Sequence, residues 1–173
     1  MGDYIGIDLH KTKSFVTRMT AQGHILEQVN LLHSTGALQH YLTALPADVH
    51  LAVEATGNWM WLYEQIEDRQ LDLALAHPLK VRAIASARIK TDKIDATTLA
   101  HLLRTDLLPT AYIPPRTIRD QRELLRYRAS LVRLRTQVKN KMAAILTKTG
   151  VRTPTKTAFG VKSRRFLATV PVR

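Results

Sequence analysis

Four carboxylates carry the most chemistry in this sequence. Asp8 lies near the end of a short apolar run, Tyr4-Ile-Gly-Ile-Asp-Leu9, and Glu54 ends another, His50-Leu-Ala-Val-Glu54. Asp92 and Asp95 stand three apart in Lys90-Thr-Asp-Lys-Ile-Asp-Ala96. Thr91 is a good N-cap residue, and Ile94, Leu99, Leu102 and Leu103 follow with helical period. A helix is therefore predicted to start here, with both acids on one face of its first turn. Acids also favour a helix N-terminus without any further role, so the pair alone does not decide. If Asp8 and Glu54 end parallel neighbouring strands, they share one edge of the sheet, where sites form in open α/β folds. Four carboxylates converging there with no evident arginine partner repel one another, and a divalent cation removes that repulsion. The set suits two Mg²⁺ ions about 4 Å apart, with Mn²⁺ as a substitute, stabilising the attacking and leaving oxygens of a phosphodiester.

The elements that must position these acids are readable in order. Tyr4–Leu9, Ser14–Met19 and Ile25–Leu32 read as three strands of an antiparallel meander, with a turn at Ala21–His24. Ser34 or Thr35 is expected to cap a helix whose apolar face is Leu38, Tyr41, Leu42 and Leu45. His50–Glu54 is a fourth strand, and Asn58 can cap a helix from Trp59 to about Asp68. Leu71–Ala76 is a fifth strand, broken by His77-Pro78. A helix to about Ala87 and the Asp92/Asp95 helix to Arg104 complete the order β-β-β-α-β-α-β-α-α. Strands alternating with helices after Leu32 favour parallel pairing there, hence an α/β fold with a mixed five-stranded sheet.

Charge divides the chain. Its 173 residues carry a net charge of +12 and no cysteine, so disulfides and cysteine-ligated zinc are excluded. Residues 1–115 hold 10 Lys/Arg against 12 Asp/Glu, whereas residues 116–173 hold 16 against 2. A polyanion is the natural partner of the second part, and an acidic membrane surface the weaker alternative. Pro109, Pro114 and Pro115 mark a stiff connector. From Thr117 to about Thr149 runs a long helical pattern in which Leu124, Leu131, Val138 and Ile145 recur every seven residues. That is a coiled-coil-like seam, predicted to pair with a second copy. The intervening face carries Arg122, Arg126, Arg128, Arg133, Arg135, Lys139 and Lys141. The expected division is a catalytic domain over 1–108, a linker over 109–116, a basic dimerisation helix over 117–150 and a loosely ordered tail over 151–173. No apolar run approaches the roughly 20 residues of a membrane span. A signal peptide is not expected, and a cytoplasmic, bacterial location is.

The acids on strand one, strand four and a late helix follow the ribonuclease H-like order. Three blocks then carry a resemblance: Y-I-G-I-D-L-H-K-T-K, A-V-E-A-T-G and H-P-L-K-V-R-A-I-A-S-A-R-I-K-T-D-K-I-D-A. Over about residues 3 to 150 the chain resembles the DEDD transposases of bacterial insertion sequences, relatives of the Piv-type invertases with a RuvC-like N-terminal domain. The resemblance implies that Asp8, Glu54, Asp92 and Asp95 are the Mg²⁺-binding set. It implies assembly through a coiled coil, DNA as substrate, and guidance by a bridge RNA. The family continues into a second domain whose serine attacks DNA. None of Ser14, Ser34, Ser86, Ser130 or Ser163 lies in a matching motif, so this chain is expected to lack that domain and to be incomplete for recombination.

Smaller features stay open. Lys90 and Lys93 flank the acid pair and could contact scissile-strand phosphates, or be solvated lysines. His10 could relay protons, or be an exposed loop histidine. Thr56-Gly57-Asn58 could form a backbone anion nest or a plain N-cap, and Trp59 and Trp61 read as core or interface rather than stacking platforms. Two rival functions remain: a non-catalytic nucleic-acid-binding and dimerisation module, and an actin-like or sugar-kinase-type phosphoryl transferase. The second is disfavoured because the loop Asp8-Leu-His-Lys-Thr12 lacks the glycine a phosphate cradle needs.

Overall fold

The structure, a computed structural model, describes residues 2–67, 69–85 and 90–170. The helix ends expected at Asp68 and Ala87, and Ser86, lie outside these residues. The chain forms two compact units, Met1–Ile113 and Pro114–Arg173.

The first unit is an α/β fold with ribonuclease H-like character. Its strands are β1 (Tyr4–Leu9), β2 (Lys13–Met19), β3 (Ile25–Leu32), β4 (His50–Glu54) and β5 (Asp72–Ala76), in the sheet order β3-β2-β1-β4-β5. β1, β2 and β3 pair antiparallel, while β1–β4 and β4–β5 pair parallel. The helices are α1 (Ala37–Ala44), α2 (Trp59–Glu67), α3 (Pro78–Ile84) and α4 (Asp92–Arg104).

Alternation along β1 sorts the two faces of the sheet. Ile5, Ile7 and Leu9 pack with Leu38 and Leu42 of α1 and Leu62 and Ile66 of α2. On the other face α4 crosses β1, β2 and β4. There Ala52 and Ala76 meet Val81, Leu99 and Leu102. Gly6 is what lets α4 come so close: a Cβ at that position would lie 2.0 Å from Ala96 O and 2.7 Å from Ala100 N. Thr97 of α4 is also tied to the sheet, 3.1 Å from Thr17 Oγ1 and accepting from Gln28 Nε2 at 3.1 Å.

One local expectation needs correction, and another gains detail. Ser34 and Thr35 do not cap α1. They lie in a 3₁₀ turn (His33–Thr35), and Gly36 is the N-cap, at φ 70. That left-handed conformation reverses the chain more cheaply at glycine than a serine or threonine could manage. The Pro-rich connector also pairs with the sheet at its start. Ala76 bridges Thr110, Ala111 N donates to Leu75 O at 2.7 Å, and His77 N donates to Pro109 O at 2.8 Å. It therefore covers the outer edge of β5, whereas β3 carries exposed Ile25, Leu26 and Leu32.

The second unit is built on α5 (Arg116–Lys148), a helix of 33 residues. Leu124, Leu131, Val138 and Ile145 are 69%, 47%, 48% and 60% exposed. The stretch after Gly150, expected to be loosely ordered, carries α6 (Val161–Leu167). Its anchors are local and hard to see in sequence. Thr155 Oγ1 lies 2.7 Å from the buried Ser163 Oγ, and Lys139 Nζ sits 5.5 Å from the centre of the Phe159 ring.

Candidate active site

Register brings the first two acids level. Ile7 pairs with Val53 in the parallel β1–β4 ladder, so Asp8 and Glu54 follow at the same height on adjacent strands. Both share the sheet face that α4 covers, because Gly6 and Ala52 precede them by two. α4 begins where its sequence predicts, with Thr91 Oγ1 accepting from Ile94 N at 3.2 Å. Asp92 and Asp95 occupy its first turn.

The two acids of that turn then take different partners. Asp92 turns to the β1–β2 loop: Lys13 Nζ donates to its Oδ2 at 2.6 Å, and His10 Nε2 lies 3.2 Å from its Oδ1. His10 Nε2 is also 3.0 Å from Asp8 Oδ2. Asp8, His10 and Asp92 thus each offer an atom within 4.8 Å of the others, an arrangement that can hold a metal ion. Asp95 turns instead to a cleft of about 550 Å³ that it lines with Asp8, Glu54, Lys90 and Arg82. Lys90 Nζ is 3.6 Å from Asp95 Oδ2. Asp8 belongs to both groupings.

The electrostatics follow from this geometry. Burial pushes the Asp8 carboxyl above its usual value; His10 counters this, while Asp95 and Asp92 add to it. Burial likewise raises Glu54, opposed by Lys90 and reinforced by Asp8 and Asp95. Asp92 is held below the ordinary carboxylate value, foremost by the Lys13 hydrogen bond. The two sheet acids are therefore short of positive charge, whereas Asp92 has its own cation. A set of oxygen donors with this deficit fits a hard divalent cation.

Sequence reasoning missed Lys13 and Arg82 and left His10 and Asn58 open. Lys13 could have been found, since a β1–β2 hairpin returns its first residue to the edge that holds Asp8. His10 reaches the acids rather than solvent alone. The Asn58 side chain ties the acid-bearing loops together: its Nδ2 donates to His10 O at 2.8 Å, joining the loop after β4 to the loop after β1. Arg82 enters the cleft from α3, whose placement no local pattern announces. Lys93 is exposed and does not line the cleft. In the second unit Arg122, Arg126, Arg133, Lys139 and Lys141 are all exposed on α5. Ser14 and Ser163 are fully buried, Ser14 Oγ lying 2.8 Å from His33 Nε2. Among the described residues no helix is long and apolar enough to cross a membrane.

Comparison with known proteins gives a consistent result. Residues 5–151 match the family model of DEDD transposases of the IS110 type, described as "Transposase". The chain is 27% identical over 106 residues to "Transposase for insertion sequence element IS1533" of Leptospira borgpetersenii, covering 59% of this chain and 31% of that protein. It is 24% identical over 169 residues to "Putative transposase y4qE" of Sinorhizobium fredii, covering 95% of this chain and 43% of that protein. The chain thus spans less than half the length of these curated relatives.

Proposed function

Because this chain belongs to the DEDD transposases of the IS110 type, we propose that its acid cleft is a Mg²⁺-dependent site acting on DNA phosphodiesters. The observation that carries the reading is the level placement of Asp8 and Glu54 on adjacent parallel strands beneath the first turn of α4. Asp8, Glu54, Asp92 and Asp95 would hold two ions. When bound, they supply Lewis-acid stabilisation of the attacking and leaving oxygens. The remaining work falls to this chain's own side chains. Asp8 and Glu54, raised by burial, gain from any added positive charge. Lys13 pairs with Asp92, and the His10 ring stays within hydrogen-bond distance of Asp8 and Asp92, until that charge arrives. Lys90 and Arg82, on the cleft wall, bind and orient the scissile-strand phosphate.

The nucleic-acid partners follow from the second unit. Arg122, Arg126, Arg133, Lys139 and Lys141 suit a phosphate backbone, either of DNA or of a guide RNA, and the exposed Leu124, Leu131, Val138 and Ile145 suit pairing with a second copy. The proposed division keeps a catalytic domain over 1–108 and a dimerisation helix over 117–150. Ser14 and Ser163 are buried, so neither is placed to attack DNA. One observation favours a second reading, a non-catalytic binding module: His10 and Lys13 already occupy two of the acids, Asp8 and Asp92.

A crystal of this chain soaked in Mn²⁺ separates the two readings. Anomalous peaks within coordination distance of Asp8, Glu54 and Asp95 are expected. A cleft that stays without a peak, with His10 and Lys13 still on the acids, refutes the catalytic reading.

A further inference from the structure

A second cavity opens on the same sheet edge and has no part in the acid chemistry. It measures about 530 Å³ and is lined by Lys11, His33, Gly57, Asn58 and Trp61. Three loops build it: the β1–β2 loop, the end of β3 and the turn after β4. Its aromatic wall is fixed. Trp61 packs partly on the core and lies 5.0 Å from the His33 ring, tilted by 42°. His33 is itself held, with Nε2 2.8 Å from Ser14 Oγ and Nδ1 3.3 Å from Lys11 O. A rigid indole needs no ordering when a flat partner stacks on it. At Gly57 the wall is open, since a Cβ added there would meet nothing within 4 Å.

The position of this cavity restricts its occupant. Lys11 follows His10 directly, and successive Cα atoms are about 3.8 Å apart. His10 touches Asp8 and Asp92, and Asn58, a cavity wall, donates to His10 O. The cavity therefore adjoins the acid site, with an exposed lysine between. A strand whose phosphodiester lies over the acids would pass this lysine and present its next unit to the indole. The size falls within the usual range of ligand pockets, about 300–1,000 Å³.

We propose that this cavity is a subsite for an unpaired nucleobase flanking the scissile phosphodiester, stacked on Trp61 with its phosphate on Lys11. The inference rests on the phosphodiester reading of the acid cleft. It predicts that the site prefers strands already melted or splayed beside the cut, because a paired base cannot reach the indole.

The test uses single-stranded oligonucleotides with one abasic position moved along the strand, bound to the full chain without divalent metal. Deoxy and ribo series identify which strand the subsite takes. Intact strands should bind, and base removal at one register should weaken binding about tenfold. Gly57→Gln, which fills the open wall without touching the fold, and Lys11→Glu should each weaken intact-strand binding and abolish the register effect. Trp61→Phe should keep it. A flat abasic scan on a chain that binds intact strands overturns the subsite alone. Parent affinity retained by Gly57→Gln and Lys11→Glu overturns it equally. A chain that binds no strand overturns the phosphodiester reading and the subsite together.

Discussion

Gly6→Ala tests how the site is held. The added methyl would lie 2.0 Å from Ala96 O, 2.7 Å from Ala100 N and 3.0 Å from Ala96 C. All three are backbone atoms of α4, so no side chain can swing aside. Ordinary contact needs about 3.4 Å or more, and α4 must therefore retreat by roughly an ångström or β1 must bend. A retreat of that size stretches the 3.1 Å contacts of Thr97 with Thr17 and Gln28. Overpacking costs about 1–3 kcal/mol, and each weakened hydrogen bond about 1 kcal/mol. A loss on the order of 3 kcal/mol corresponds to a fall in Tm of roughly 6–12 °C. Asp92 and Asp95 move with the helix, so divalent-metal affinity should fall by about 10–100-fold, as when a ligand loses its support. Thermal melting by circular dichroism and calorimetric titration with Mn²⁺ read both effects. Gly57→Ala is the control, because its Cβ meets nothing within 4 Å. A Gly6→Ala protein that melts within a degree or two of the parent and binds metal equally well refutes the reasoning.

Other outcomes follow from the same geometry. Asp8 and Glu54 have native pKa values raised above the ordinary 3.8 and 4.5. The native state then holds these protons more tightly than the unfolded chain, so stability is lost as pH rises through the raised values. Asp8→Asn should therefore raise Tm of the metal-free protein at pH 7. That gain should shrink below about pH 4, where the native and unfolded carboxyls are both protonated; no gain at pH 7 removes the burial argument. Replacing Arg126, Arg133 and Lys139 with Glu should weaken nucleic-acid binding and reduce the logarithmic salt slope by about 2–3, measured by fluorescence anisotropy; an unchanged slope makes α5 a solvated surface. Sedimentation at high micromolar concentration should find a dimer that persists in high salt, and Leu131→Glu should dissociate it. Incubation with Mg²⁺, guide RNA and target duplex should leave no protein–DNA adduct on a denaturing gel, and an adduct would point to Ser34, Ser86 or Ser130.

Much of the frame was legible because the signals are local. Apolar runs of five to eight residues ending in acids mark β1 and β4, and Thr91 before a periodic run marks α4. The parallel pairing of β1 with β4 follows from the helical crossover between β3 and β4. The split of the helix acids was not legible, because Asp92 and Asp95 share a turn in sequence yet meet different loops in space. Lys13 escaped notice because a lysine at a strand start is usually solvated. Arg82 and the docking of residues 109–111 on β5 depend on contacts made only after the sheet forms. α6 is held by Thr155–Ser163 and Lys139–Phe159, pairs with no periodicity to announce them.

The acids are shared between two bodies: Asp8 and Glu54 belong to the sheet, while Asp92 and Asp95 ride on a helix that rests on a bare glycine. A ligand bridging the two sets binds well only when the helix is seated, and by thermodynamic reciprocity its binding seats the helix. Affinity at the cleft and adhesion beneath α4 are then one coupling free energy viewed from two ends. Gly6, which does not line the cleft, thereby bears on whatever binds there.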